Sequence, residues 1–142
     1  MEFRFASADD AFALGRLNAD LIRDERHRNP MTMVELEDRM RDWLEGAYEA
    51  TVCESDGALV GYALYRCESD HVYLRQLFVR EEDRRRGIAT ALLQWLWSNA
   101  WTNVERARVE VLLDNSAGLT FWRTAGFRDY CITLEMSSPE GD

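Results

Sequence analysis

The sequence predicts an α/β protein: a mixed (α+β) sheet with helices on its faces. Three observations lead there. Hydrophobic periodicity reads in the order β-α-α-β-β-β-α-β-α-β. The stretch Val72–Trp97 runs from a β-prone strand through a charged, glycine-containing loop into an amphipathic helix. The 142 residues, 46% hydrophobic and 30% charged, describe an ordinary globular chain and fit one domain, 1–142.

Each element has its own signal. Glu2–Phe5 alternates polar and apolar residues, as a short strand does. Ser7 stands where an N-cap belongs, with Asp9 and Asp10 in the first turn and Phe12, Leu14, Leu17, Leu21 and Ile22 as the apolar stripe. That helix is expected to fray over Arg23–Asn29 and to stop before Pro30. Thr32 caps a second helix with Glu35 at the capping-box position, and Gly46 ends it. Tyr48–Glu54 and Ala58–Arg66 form a hairpin around Ser55-Asp56-Gly57, and the second strand, apolar on both faces, is central. His71–Val79 is the next strand. Ile88, Ala91, Leu92 and Trp95 mark the buried face of the following helix, which Thr102-Asn103 breaks. Arg106–Leu113 reads as a strand, Asp114-Asn115-Ser116 as the cap of a last helix, and Gly126 as its left-handed end. Tyr130–Met136 is a final strand, and 136–142 reads as a mobile acidic tail.

Charge and cysteines narrow the function. A formal net charge of −9 argues against nucleic acid as the main partner. An acidic N-terminal decapeptide and the lack of a membrane-length apolar run argue against a leader or a membrane span. Cys53, Cys67 and Cys131 lack metal-site spacing and fit reduced thiols, which points to a cytoplasmic protein without a metal.

The stretch 72–97 carries the chemistry. Val72, Leu74, Leu77, Phe78 and Val79 form the strand, Glu81-Glu82-Asp83 breaks it, and Arg84-Arg85-Arg86-Gly87 leads into the helix. A basic loop at a helix N-terminus presents unpaired N–H groups aligned with the helix dipole, which suits a phosphate or pyrophosphate. Glycine at position 87 lets that backbone approach an anion closely.

These residues resemble the GNAT superfamily of acetyl-CoA-dependent N-acetyltransferases. Arg84-Arg85-Arg86-Gly87-Ile88-Ala89 is similar to its R/Q-x-x-G-x-G/A loop, and the resemblance implies that backbone amides from Arg85 to Thr90 hold the CoA pyrophosphate. Leu77, Phe78 and Val79 match the strand that pairs with pantetheine and polarises the thioester carbonyl through its amides. Asn115 followed by Phe121-Trp122-Arg123-Thr124-Ala125-Gly126-Phe127 resembles the N…(F/L)Y-x-x-x-GF segment, whose Asn contacts pantetheine. The resemblance implies a central, mostly antiparallel sheet of six to seven strands flanked by about four helices. It also implies acetyl-CoA as cosubstrate and direct attack by a primary amine of a small molecule in a ternary complex. A non-catalytic acyl-CoA-sensing module and a protein or peptide N-acetyltransferase are the alternatives.

The sequence departs from the family pattern twice. Trp122 occupies the tyrosine position and has no hydroxyl to protonate a leaving thiolate; a tryptophan there would wall the thioester pocket. Arg75 and Gln76 stand where polyamine-acetylating relatives carry a glutamate. Glu110, at mid-strand, is then the first candidate base, balanced against an ion pair with Arg75 or Arg108. His71 is a second candidate base, though a surface role is commoner. Leu77 contributes through its backbone amide. Arg75 suits an acceptor carboxylate, whereas Glu25, Glu35 and Glu37 would attract a cation. Thr90, Gln94, Trp97 and Trp101 form a second helical stripe, serving either a homodimer contact or packing under the C-terminal strand. The remaining tryptophans are expected in the core.

Overall fold

The computed structural model describes residues 1–25 and 28–140. Positions 26 and 27, in the stretch expected to fray, and 141–142 of the tail lie outside the described residues. The chain forms two compact units, Met1–Glu110 and Val111–Asp142. The first contains β1 (Glu2–Phe5), α1 (Ala11–Asp24), α2 (Met33–Glu45), β2 (Glu49–Ser55), β3 (Ala58–Cys67), β4 (Val72–Val79), α3 (Ile88–Asn99) and β5 (Ala107–Val109). Short 3₁₀ turns occupy Ala8–Asp10 and Glu81–Asp83. The second unit contains α4 (Ser116–Thr124).

The local signals act where the residues stand. Ser7 and Asp10 form a reciprocal capping box ahead of α1. Thr32 and Glu35 do the same at α2: Glu35 N–H donates to Thr32 Oγ1 at 3.2 Å, and Thr32 N–H to Glu35 Oε1 at 2.8 Å. In the β2–β3 hairpin, Asp56 and Gly57 sit at φ 54° and 80°, the two positive values a tight primed turn requires.

The sheet runs β1-β2-β3-β4-β5; the first three pairings are antiparallel, and β4 pairs with β5 in parallel. On one face Ala50, Val52, Tyr62, Leu64 and Phe78 pack with Leu14, Leu17, Leu21 and Met40 of α1 and α2. On the other, Trp95 of α3 meets Phe3 and Phe5 with ring centroids 6.2 and 5.2 Å apart. Trp101, buried beyond the end of α3, packs edge-on against Tyr65 of β3 at 5.6 Å. Trp101 is therefore a core residue beneath β3, while Thr90 and Gln94 of the same stripe are exposed. The buried face of α3 is Ile88, Leu92, Leu93 and Leu96, so Ala91 and Trp95 lie at its margin.

Among the described residues the sheet has five strands rather than six to seven. Tyr130–Met136 is not a strand: Tyr130, Ile132, Leu134 and Met136 stand largely exposed. Alternation in sequence describes which way side chains would point, but a strand exists only where a ladder is made. The expected strand 106–113 shrinks to Ala107–Val109 for a related reason. Its neighbour β4 bulges at Arg75, where Leu64 pairs with Gln76 but Tyr65 with Leu74, and β5 pairs only with Val72–Leu74.

Candidate acetyl-CoA site

The bulge organises the site. Before it, Tyr73 lies on the α2 face of β4; beyond it, Gln76 and Phe78 take over that face, against Tyr62. Arg75, the extra residue, also turns toward α2, its guanidinium 4.8 Å from the centre of the Trp43 ring. Among the described residues the edge of β4 beyond Leu74 has no strand partner on the β5 side. Arg80 N–H donates to Val60 O at 2.8 Å, which sets the alternation of the β3–β4 ladder. Phe78 and Gln76 therefore bond to β3, and the main-chain groups of Leu77 and Val79 turn to the open edge. Val79 O accepts from Arg84 Nε at 2.9 Å, leaving the Leu77 and Val79 amides directed outward.

The loop after β4 is shaped by a residue read in sequence only as a strand breaker. Asp83 is buried, accepts from Arg80 Nε at 2.7 Å and lies 3.5 Å from Arg86 NH1. Arg84 also reaches Asp24 at the end of α1 and lies over the Phe78 ring at 5.3 Å. Its side chain thus ties the loop to the body, and only its backbone remains for a ligand. Arg85 at φ 66° and Gly87 at φ 72° hold left-handed conformations, which for arginine costs about 1–3 kcal/mol. Gly87 is the N-cap of α3 and has no side chain to cap it; the first intrahelical donor is Ala91 N–H, to Gly87 O at 3.0 Å. The amides of Ile88, Ala89 and Thr90 precede that bond and face the position an anion would take. A Cβ on Gly87 would meet nothing within 4 Å, so it is the positive φ that demands glycine.

The other candidates disperse. Glu110 accepts from the Tyr73 hydroxyl at 2.7 Å. Arg75 does not pair with Glu110 and donates instead to the Tyr48 hydroxyl at 3.3 Å. His71 Nδ1 contacts Asp70 Oδ1 at 2.7 Å at the opposite end of β4, roughly 20 Å along the strand from Leu77. Glu35 is occupied as the α2 cap, and the Thr32 N–H holds its carboxyl below the usual range. Glu25 is the exposed C-cap of α1. Among the described residues no cluster of His, Cys, Asp and Glu could hold a metal ion. Nor, among the described residues, is any helix long and apolar enough to cross a membrane.

In the second unit Asn115 caps α4, its Oδ1 accepting from Gly118 N–H at 3.0 Å, so the cap is Asn115 itself. At the other end Gly126 (φ 110°) donates to Arg123 O at 3.1 Å and Phe127 to Trp122 O at 3.0 Å, the paired bonds of a Schellman ending. Trp122 packs edge-on against both Phe121 and Phe127, each at 5.0 Å. The Trp122–Phe127 contact is the hydrophobic clasp that accompanies such an ending.

Tyr73, Tyr48, Trp43, Arg39 and Asp83 join the candidates only in three dimensions. The bulge left one trace in sequence: the apolar positions Val72 and Leu74 change parity at Leu77 and Val79.

A mycothiol acetyltransferase of Clavibacter michiganensis is 28% identical over 91% of this chain, which spans 43% of that protein. An N-alpha-acetyltransferase of Sulfurisphaera tokodaii is 35% identical over 58% of this chain and 59% of its own length. The chain thus spans about half the length of the curated relatives it matches. A predicted acetyltransferase from Clostridium acetobutylicum, solved with acetyl-CoA, shares the fold with a TM-score of 0.77, at 18% identity over 96% of this chain and 95% of its own. The acetyltransferase (GNAT) domain model matches residues 46–129, and the chain belongs to that superfamily.

Proposed function

We propose that this chain transfers the acetyl group of acetyl-CoA to a primary amine of a small molecule by direct attack in a ternary complex. The observation that carries the reading is the uncapped start of α3 at Gly87, immediately after a strand whose Leu77 and Val79 amides face an open edge. When bound, acetyl-CoA supplies an activated thioester carbonyl. The amides of residues 85–90 hold its phosphates, and the Leu77 amide donates to the oxygen on which negative charge grows. Glu110, fixed by Tyr73, takes the proton that an ammonium must lose before it attacks. The acetyl-CoA of the Clostridium acetobutylicum structure supports the choice of cosubstrate.

Incubation with acetyl-CoA and a panel of small amines, followed by free thiol release, tests the proposal. Amine-dependent release above hydrolysis is expected; acetyl-CoA binding without turnover on any amine would leave a sensing module instead. The Sulfurisphaera tokodaii relative, an N-alpha-acetyltransferase, favours peptide N-termini as the second acceptor class for the same panel.

A further inference from the structure

Two arginines of the first unit share one aromatic ring. Arg39 of α2 and Arg75 of β4 lie over the same Trp43 ring, at 4.3 and 4.8 Å from its centre. Among the described residues neither forms an ion pair, whereas Arg4, Arg66, Arg80, Arg84 and Arg86 each contact an Asp or Glu. Arg39 NH2 donates to the buried Asn18 Oδ1 at 3.0 Å, and its buried Nε has no hydrogen-bond partner. Arg75 NH1 donates to Tyr48, whose oxygen also takes Arg66 NH1 at 3.1 Å. Arg66 is satisfied by Glu68 at 2.5 Å; Arg39 and Arg75 have only neutral oxygens. Burial, and secondly the charge of Arg75, lower the pKa of Arg39, so the two guanidiniums feel each other.

Arg39 is half-buried and Arg75 exposed, and like charges held beside one indole repel each other unless an anion joins them. Stacking on Trp43 orients the planar forks, and a guanidinium fork matches a carboxylate bidentately. Arg75 stands two residues before Leu77, whose amide serves the transferred acetyl group in the proposed reaction. We infer that Arg39 and Arg75, framed by Trp43 and Tyr48, bind a carboxylate on the amine acceptor, which is therefore an amino acid or similar small anionic amine. This rests on the acetyl-transfer reading. The chain's net charge of −9 does not oppose it, because a site's field is set by the groups that line it.

The test compares α-amino acids with the same compounds as α-carboxamides, at saturating acetyl-CoA, by free thiol release. The acids should be the better acceptors. R75Q and R39Q should each lower kcat/KM for the acids about tenfold or more through KM, and that for the amides about twofold at most. R75K, which keeps charge without the fork, should fall between wild type and R75Q. Preference for amides or polyamines, or equal losses on acids and amides, overturns the subsite. Calorimetric titration of amino acids into the free and the acetyl-CoA-loaded protein gives a second readout. Heat lost in R75Q supports the subsite, and no heat in the wild type overturns it. Acetyl-CoA titrated alone separates the two readings, since failure to bind it sinks the transfer reaction while the amino-acid titration still decides the subsite.

Discussion

The hydroxyl of Tyr73 donates to Glu110 Oε1 at 2.7 Å and so fixes a carboxylate just beyond the end of β5. Burial first, and then the hydrogen bond to Glu110, push the Tyr73 hydroxyl up to about 12, so it remains a donor at any working pH. That hydrogen bond orients the Glu110 carboxyl group. If it takes the proton from the ammonium, E110Q should lower kcat by about 10²-fold or more and leave acetyl-CoA affinity unchanged. Y73F, which frees the carboxylate without removing it, should cost roughly tenfold. A kcat for E110Q within twofold of wild type would remove Glu110 from the reaction.

Gly87 and Gly57 separate backbone strain from ligand contact. Both hold positive φ, 72° and 80°, and a Cβ on either would meet nothing within 4 Å. Replacement by valine should cost each about 1–3 kcal/mol of stability, because a β-branched residue resists that conformation. Only G87V should weaken acetyl-CoA binding, by about tenfold or more in calorimetry, since it alone opens α3. Equal affinities for G87V and G57V would refute the phosphate site.

What could be read from sequence was local. The boxes Ser7–Asp10 and Thr32–Glu35, the Asp56-Gly57 turn and the Gly126 ending each close within a few residues, so the residue types alone determine them. The glycine that starts α3 was legible for the same reason. Pairings between distant parts of the chain were not. Nothing near Arg84 in sequence points to Asp24, nor near Tyr73 to Glu110. Trp43 reads as core by composition, yet it is half-buried beneath two guanidiniums. Tyr130–Met136 shows the converse, a correct strand pattern without a ladder.

Asp83 gives the loop before α3 its shape through Arg80 and Arg86. D83N keeps the volume but removes the charge facing two cations, and should cost about 1–3 kcal/mol in urea unfolding. Because residues 84–87 follow directly, acetyl-CoA affinity should fall several-fold as well. R86Q, which loses a longer and exposed contact, should change stability by less than about 1 kcal/mol. D83N destabilised with full affinity would show that the loop keeps its conformation without Asp83.

Alkaline pH should unfold this protein early. Burial pushes the Cys53 thiol up from 9.0 to about 12. It is also the largest cause that takes the Tyr65 and Tyr73 hydroxyls from 10.0 to about 12, and it raises Tyr62 further still. These groups keep their protons in the native state while the unfolded chain gives them up. Their contribution is fully present below about pH 9, where both states are protonated, and is lost as pH rises toward 12. For Tyr65 alone a two-unit shift corresponds to on the order of 2 kcal/mol. The urea midpoint should therefore fall steadily above pH 9. Y65F should flatten that fall, while costing about 1 kcal/mol at neutral pH through the lost 2.9 Å bond with Thr51. An unchanged midpoint between pH 8 and 11, or an identical slope in Y65F, would mean that these side chains ionise in the native state as readily as in the unfolded chain.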